Sequence, residues 1–120
     1  VELYNGPQSY FKEVHAEYDK RRNIVFDALK KIPGVICEKP TGAFYVIAPT
    51  RRKFTVAFVI WMLKEFDVDG ETVMFAPAEG FYRTPGLGKD DIRIAYILNE
   101  KDLTRAMDIL KQGIEAYKNR

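Results

Sequence analysis

Residues Val73 to Glu100 read VMFAPAEGFYRTPGLGKDDIRIAYILNE, and the fold turns on how this stretch divides. Thr72 to Ala76 predicts a short strand. Pro77 to Asp91 holds three glycines and two prolines and predicts a loop, of a length that is often functional. Ile92 to Ile97 predicts a second strand, in which Ile92, Ile94 and Tyr96 alternate with Arg93, Ala95 and Ile97. At period two, Arg93 faces away from the flanking isoleucines and shares its face with apolar neighbours. A guanidinium is permanently charged and offers a planar fork of donors that matches a carboxylate or phosphate. Ala95 is small and leaves such an anion room to approach. Two readings stand for Arg93: an anion-binding residue, or an edge-strand arginine paired with Asp90 or Asp91.

The segments on either side complete an α+β pattern. Gln8 to Lys31 predicts a long amphipathic helix, with Phe11, Val14, Tyr18, Val25, Leu29 and Ile32 at helical spacing. Arg21 and Arg22 fall between Tyr18 and Val25, so one of them borders the apolar stripe and is read as solvated or ion-paired. Pro33-Gly34 stops the helix. Val35 to Glu38 and Ala43 to Ala48 predict two strands joined by Lys39-Pro40-Thr41-Gly42 as an antiparallel hairpin. Phe54 to Phe66 predicts a helix that is apolar nearly all round, which implies burial on more than one side. Asp69-Gly70 turns the chain. Asn99 is a good N-cap, with Asp102 completing a capping-box-like start. The last helix then places Leu103, Met107, Leu110, Ile114 and Tyr117 on one face, and Lys118 and Arg120 suit the negative end of its dipole. This order predicts a small, largely antiparallel sheet packed against helices in two layers.

A chain of 120 residues fits one domain, spanning 1–120, and can bury a core without metals or disulfides. It is 47% hydrophobic and 30% charged, which suits a globular fold. A net charge of +2 is too small to indicate a nucleic-acid partner. A single cysteine, Cys37, leaves no internal disulfide and fits a reducing cytoplasm; packing is expected of it rather than reactivity. No stretch reaches the ~20 apolar residues of a membrane helix. Val1-Glu2-Leu3-Tyr4 lacks the pattern of a signal peptide and begins without methionine, as expected of a fragment.

Most motif-like patterns fail on their companions. Ser9-Tyr10-Phe11-Lys12 has the Ser-x-x-Lys spacing of some acyl-transfer enzymes without the accompanying motifs, and Ser9 reads as a helix N-cap. Gly86-Leu87-Gly88-Lys89 is followed by Asp90 and a strand, where a phosphate-binding loop needs Ser or Thr and a helix. His15 is the only histidine, between Glu13 and Glu17, and has no cluster with which to hold a metal. Trp61 and the other aromatics are not interleaved with Gly and basic residues as in RNA-binding strands, and Tyr45 and Phe44 are expected as core and hairpin residues.

Several pieces in order carry a family resemblance. Pro77, Gly80, Phe81, Thr84-Pro85-Gly86-Leu87-Gly88 and Ile92-Arg93-Ile94-Ala95-Tyr96 resemble the C-terminal part of pyridoxal-phosphate aminotransferases of the aspartate aminotransferase group. Pro40-Thr41-Gly42-Ala43-Phe44-Tyr45 is similar to that family's Pro-x-Gly-Ala-Phe-Tyr hairpin. Asn5-Gly6-Pro7-Gln8, followed by Tyr18-Asp19-Lys20-Arg21-Arg22, is similar to the helix that leads into the family's small domain. The resemblance implies the small domain of a longer chain. The cofactor pyridoxal 5'-phosphate, its Schiff-base lysine and its phosphate ligands would belong to a large domain outside this sequence. It implies that Arg93 grips the α-carboxylate of an amino acid or 2-oxo acid substrate and that Phe44 lies near the substrate. It also implies a cytoplasmic, homodimeric parent without nucleic-acid or membrane partners, and a fragment that is inactive alone. A free-standing α+β binding module remains the alternative.

Overall fold

A computed structural model describes residue 2, residues 4–50 and residues 56–120. Helix α1 spans Gln8–Lys30, strand β1 Tyr45–Pro49, helix α2 Val56–Lys64, strand β2 Ala76–Pro77, strand β3 Asp91–Ala95 and helix α3 Glu100–Lys118. A 3-10 turn covers Glu79–Phe81. The sheet is antiparallel throughout, in the order β1-β3-β2. This is the expected α+β architecture.

Alternation sets the two faces of the sheet. Val46 pairs with Ile94 and Ala48 with Ile92, and all four are buried. With Tyr96 they form the floor of the core. Val25 and Leu29 of α1, Ile32 just beyond it, and Leu103, Met107, Leu110 and Ile114 of α3 close over it. Burying a side chain of this size stabilises the fold by roughly 1.5–3 kcal/mol, so this face fixes the register of β1 on β3. The opposite face carries Tyr45, Ile47, Arg93 and Ala95.

Helix α3 begins as expected. Asn99 Oδ1 accepts from the Asp102 backbone N–H at 2.8 Å, and Asn99 Nδ2 donates to Asp102 Oδ2 at 2.8 Å. Gly113 is buried where α3 meets α2: a Cβ there would lie 2.3 Å from Met62 Sδ. Asp69 and Gly70 both take positive φ, 55° and 80°, and form the tight turn between Val68 and Glu71.

Five expectations need correction. Val35 to Glu38 is not a strand. It contributes one bridge, Val35 to Thr50, and one bond from the Ile36 N–H to the Pro49 carbonyl at 2.9 Å. Pro40 has no N–H to extend that ladder, and β1 takes β3 as its partner. Thr72 to Ala76 shrinks to Ala76–Pro77, because Phe75 leaves the ladder to pack on Phe58 at 5.5 Å. Ser9 lies inside α1, with Pro7 at the cap position. The apolar stripe of α1 is buried only from Val25 onward; Phe11 is exposed and Val14 and Tyr18 are partly exposed. Helix α2 buries Phe58, Val59, Trp61 and Met62 but exposes Val56, Ile60 and Leu63 along one stripe. Phe54 and Thr55, expected to begin that helix, lie outside the described residues.

Candidate active site

Arg93 lies on the central strand, opposite Ile47 of β1 and Ala76 of β2. It is therefore not an edge-strand residue. Its side chain leaves the sheet on the face away from the core and is half-buried. Among the described residues no carboxylate lies within ion-pair distance of it. Asp91 shares its face by alternation, but the Tyr82 hydroxyl donates to Asp91 Oδ2 at 2.8 Å. Arg93 meets aromatic rings instead. Its Cζ lies over the Phe81 ring at 4.5 Å and over the Tyr45 ring at 4.7 Å from the centroids. Cation–π attraction of this kind is worth about 0.5–1 kcal/mol at exposed sites.

The loop from Pro77 to Asp91 is tied down at both ends. The Ala78 N–H donates to the Asp91 carbonyl at 2.9 Å, and the Phe81 N–H donates to Ala78 at 2.9 Å. The Asp91 N–H donates to Gly88 at 3.1 Å. Gly88 has φ +72°, and a Cβ there would lie 2.3 Å from Tyr82 Cε2. Glycine is thus required twice over: for the backbone conformation and for the ring beside it. The loop presents Phe81 to Arg93 as a built feature.

The turn before β1 is anchored from below. Ala43 has φ 62°, and its carbonyl accepts from the buried Tyr96 hydroxyl at 2.8 Å. Burial, opposed by the positive charge of Arg22 and aided by Asp19, raises the Tyr96 pKa above the usual phenol value. The hydrogen bond to Asp91 does the same for Tyr82, followed by burial and the charge of Asp91. Phe44 is exposed, and its carbonyl accepts from the Tyr96 N–H at 2.9 Å. Phe44 precedes β1, and its ring meets the Tyr45 ring edge-on at 5.7 Å between centroids, one ring removed from Arg93.

Two cavities border these elements. A groove of about 510 Å³ runs beside β3 where β2 ends, lined by residues of β3, α3 and the segment 73–76; among the described residues Arg93 is the one charged residue in its lining. A smaller cavity of about 100 Å³ lies between α1 and the turn at Thr41–Ala43, beside His15, Asp19 and Arg22. Arg22 pairs with Asp19 at 2.9 Å, and Arg21 donates to Glu17 and to the Ile97 carbonyl, each at 2.9 Å. Both arginines are thus ion-paired, as expected. His15 is exposed and sits 3.4 Å from Asp19. Cys37 is partly buried, and burial followed by the charge of Glu38 raises its pKa, which disfavours the reactive thiolate. No group of metal-ligating side chains is present among the described residues. No described helix is long and apolar enough to cross a membrane.

No protein-family model matches the chain. Aspartate aminotransferase of Pyrococcus horikoshii is 32% identical over 98% of the chain, and that of Geobacillus stearothermophilus 29% identical over 97%. The solved alanine aminotransferase of Pyrococcus furiosus superposes on 92% of the chain with a TM-score of 0.76 and 27% identity. The chain resembles the C-terminal segment of aminotransferases of the aspartate aminotransferase type. It spans about 29% of the length of either curated aspartate aminotransferase and 27% of the solved chain. Such relatives imply pyridoxal phosphate as the cofactor. The aminotransferase-like segment itself does not fit that group. Every described lysine is exposed, and none of them lines either cavity, whereas a lysine that holds the cofactor must be enclosed with it.

The alternation identifies Arg93 and its face, and Phe81 appears only within its motif; Tyr45 and Phe44, expected as core and hairpin residues, are exposed and lie outside the core. The approach of Phe81 and Tyr45 to Arg93 depends on the pairing of Tyr45 with Ala95 and on the 3-10 turn. The signal available in the sequence was an aromatic pair in each segment, Phe44-Tyr45 where β1 begins and Phe81-Tyr82 within the loop.

Proposed function

We propose that residues 1–120 form the small domain of a pyridoxal-phosphate-dependent aminotransferase, and that Arg93 grips the α-carboxylate of its amino acid and 2-oxo acid substrates. The observation that carries this reading is the state of Arg93. It is a guanidinium on the central strand, held by two rings and free of carboxylates among the described residues. A bidentate pair with a carboxylate fixes the substrate in two directions and so orients its reacting carbon. The cofactor supplies the electron sink of the reaction. Its lysine and phosphate ligands belong to a large domain outside this segment, so the segment alone is inactive. The work of the small domain is to deliver the clamp and to close over the site. The parent is a cytoplasmic homodimer on this reading, acting on small molecules and not on nucleic acid or membranes.

Ligand affinity of the full-length protein tests the assignment. Arg93→Ala should cost about 2–5 kcal/mol of substrate binding, as for one partner lost from a charge-assisted pair. Arg93→Lys should recover only part, since an ammonium lacks the planar fork. Unchanged affinity in Arg93→Ala would leave Arg93 as a structural residue of a binding module.

A further inference from the structure

We infer that Phe81 and Tyr45 are positioning residues for Arg93: their rings hold the guanidinium in place without consuming the donors that a carboxylate needs. This rests on the reading of Arg93 as the carboxylate clamp. A guanidinium carries all its N–H donors in its plane. An Asp or Glu used to immobilise it would take those donors and compete with the ligand. A ring face attracts the cation through its quadrupole and leaves the N–H fork open. The Arg93 Cζ lies over both rings, at 4.5 Å from Phe81 and 4.7 Å from Tyr45.

Core packing does not account for the two rings. Phe81 is 55% exposed and Tyr45 37% exposed. Each is nonetheless placed by specific structure. Tyr45 pairs with Ala95, whose small side chain lets the phenol ring lean along the strand toward Arg93. Phe81 sits on the 3-10 turn that is hydrogen-bonded to Asp91, two residues before Arg93 on the same strand. The Tyr82 hydroxyl engages the Asp91 carboxylate, so the same loop that brings Phe81 to the cation also occupies the carboxylate nearest to it in sequence.

Steady-state kinetics of the full-length holoenzyme tests the inference, using an amino donor and a 2-oxo acid acceptor. Phe81→Leu should raise KM for both substrates about 2- to 5-fold with kcat changed less than about 2-fold, the range expected for one exposed cation–π contact. Phe81→Tyr should bring KM back to within about 2-fold of the parent. Tyr45→Leu and Tyr45→Phe form a second pair with the same expectation, and they decide the matter if Phe81→Leu fails to fold. Leucine variants that match the parent while Arg93→Ala is impaired would overturn the positioning role and leave the clamp standing. Aromatic variants no better than leucine would overturn it too, by showing that shape and not the ring matters. An Arg93→Ala protein with unchanged KM would overturn the clamp, and this inference with it.

Discussion

Tyr96 and Tyr82 bracket the strand of Arg93 with two phenols that the fold keeps protonated. Tyr96 is raised by burial, and Tyr82 by its hydrogen bond to Asp91. Both bind their protons more tightly folded than unfolded. The stability they contribute is therefore complete below about pH 10, the unfolded phenol value, and is lost as pH rises through the folded values. Ultraviolet titration should show two phenols ionising later than a free tyrosine. Tyr96→Phe should remove one of them and soften the alkaline loss of stability. Titration of both with the free phenol would contradict the account. Alternation alone made Arg93 and its face legible in the sequence. Its neighbours were not legible, because the Tyr45 contact crosses between strands distant in the chain, and no local pattern encodes that register.

Helix α3 shows what local sequence does encode. Its apolar period and its Asn99 cap are contained in adjacent residues, and both appear as expected. Asn99→Ala removes the side-chain acceptor of the Asp102 N–H and should lower stability by about 1 kcal/mol, as a fall in the urea midpoint at constant m-value. A change in slope, or none in midpoint, would argue that the cap is not formed. The β elements were harder to read. The hairpin of Val35–Glu38 with the following strand looked local, yet β1 spends its hydrogen bonds on β3, which follows much later in the chain. What decides the pairing is the joint burial of Val46, Ala48, Ile92 and Ile94, a property of the assembled core and not of either segment. The loop between Pro77 and Asp91 was correctly read as a loop; its hold on Phe81 depends on Gly88 and Tyr82 meeting in space.

At the scale of the whole molecule, the apolar stripe of α2 is the feature an isolated chain has to manage. Val56, Ile60 and Leu63 are 50%, 46% and 46% exposed, and large contiguous apolar patches on soluble proteins mark interaction surfaces. The isolated chain should self-associate through this stripe, and Ile60→Lys should shift it toward monomer in sedimentation experiments. An isolated chain that stays strictly monomeric at high concentration would count against that. The chain spans about 29% of the length of the aspartate aminotransferases it resembles, and the proposed clamp is tested in the full-length protein. The central claim is that Arg93 clamps a carboxylate common to all substrates, and kcat/KM of the full-length Arg93→Ala protein toward donors with different side chains tests it most directly. A similar loss is expected for apolar, aromatic and acidic amino acids, with cofactor binding unchanged. Near-normal kcat/KM, or a loss confined to acidic donors, would contradict it.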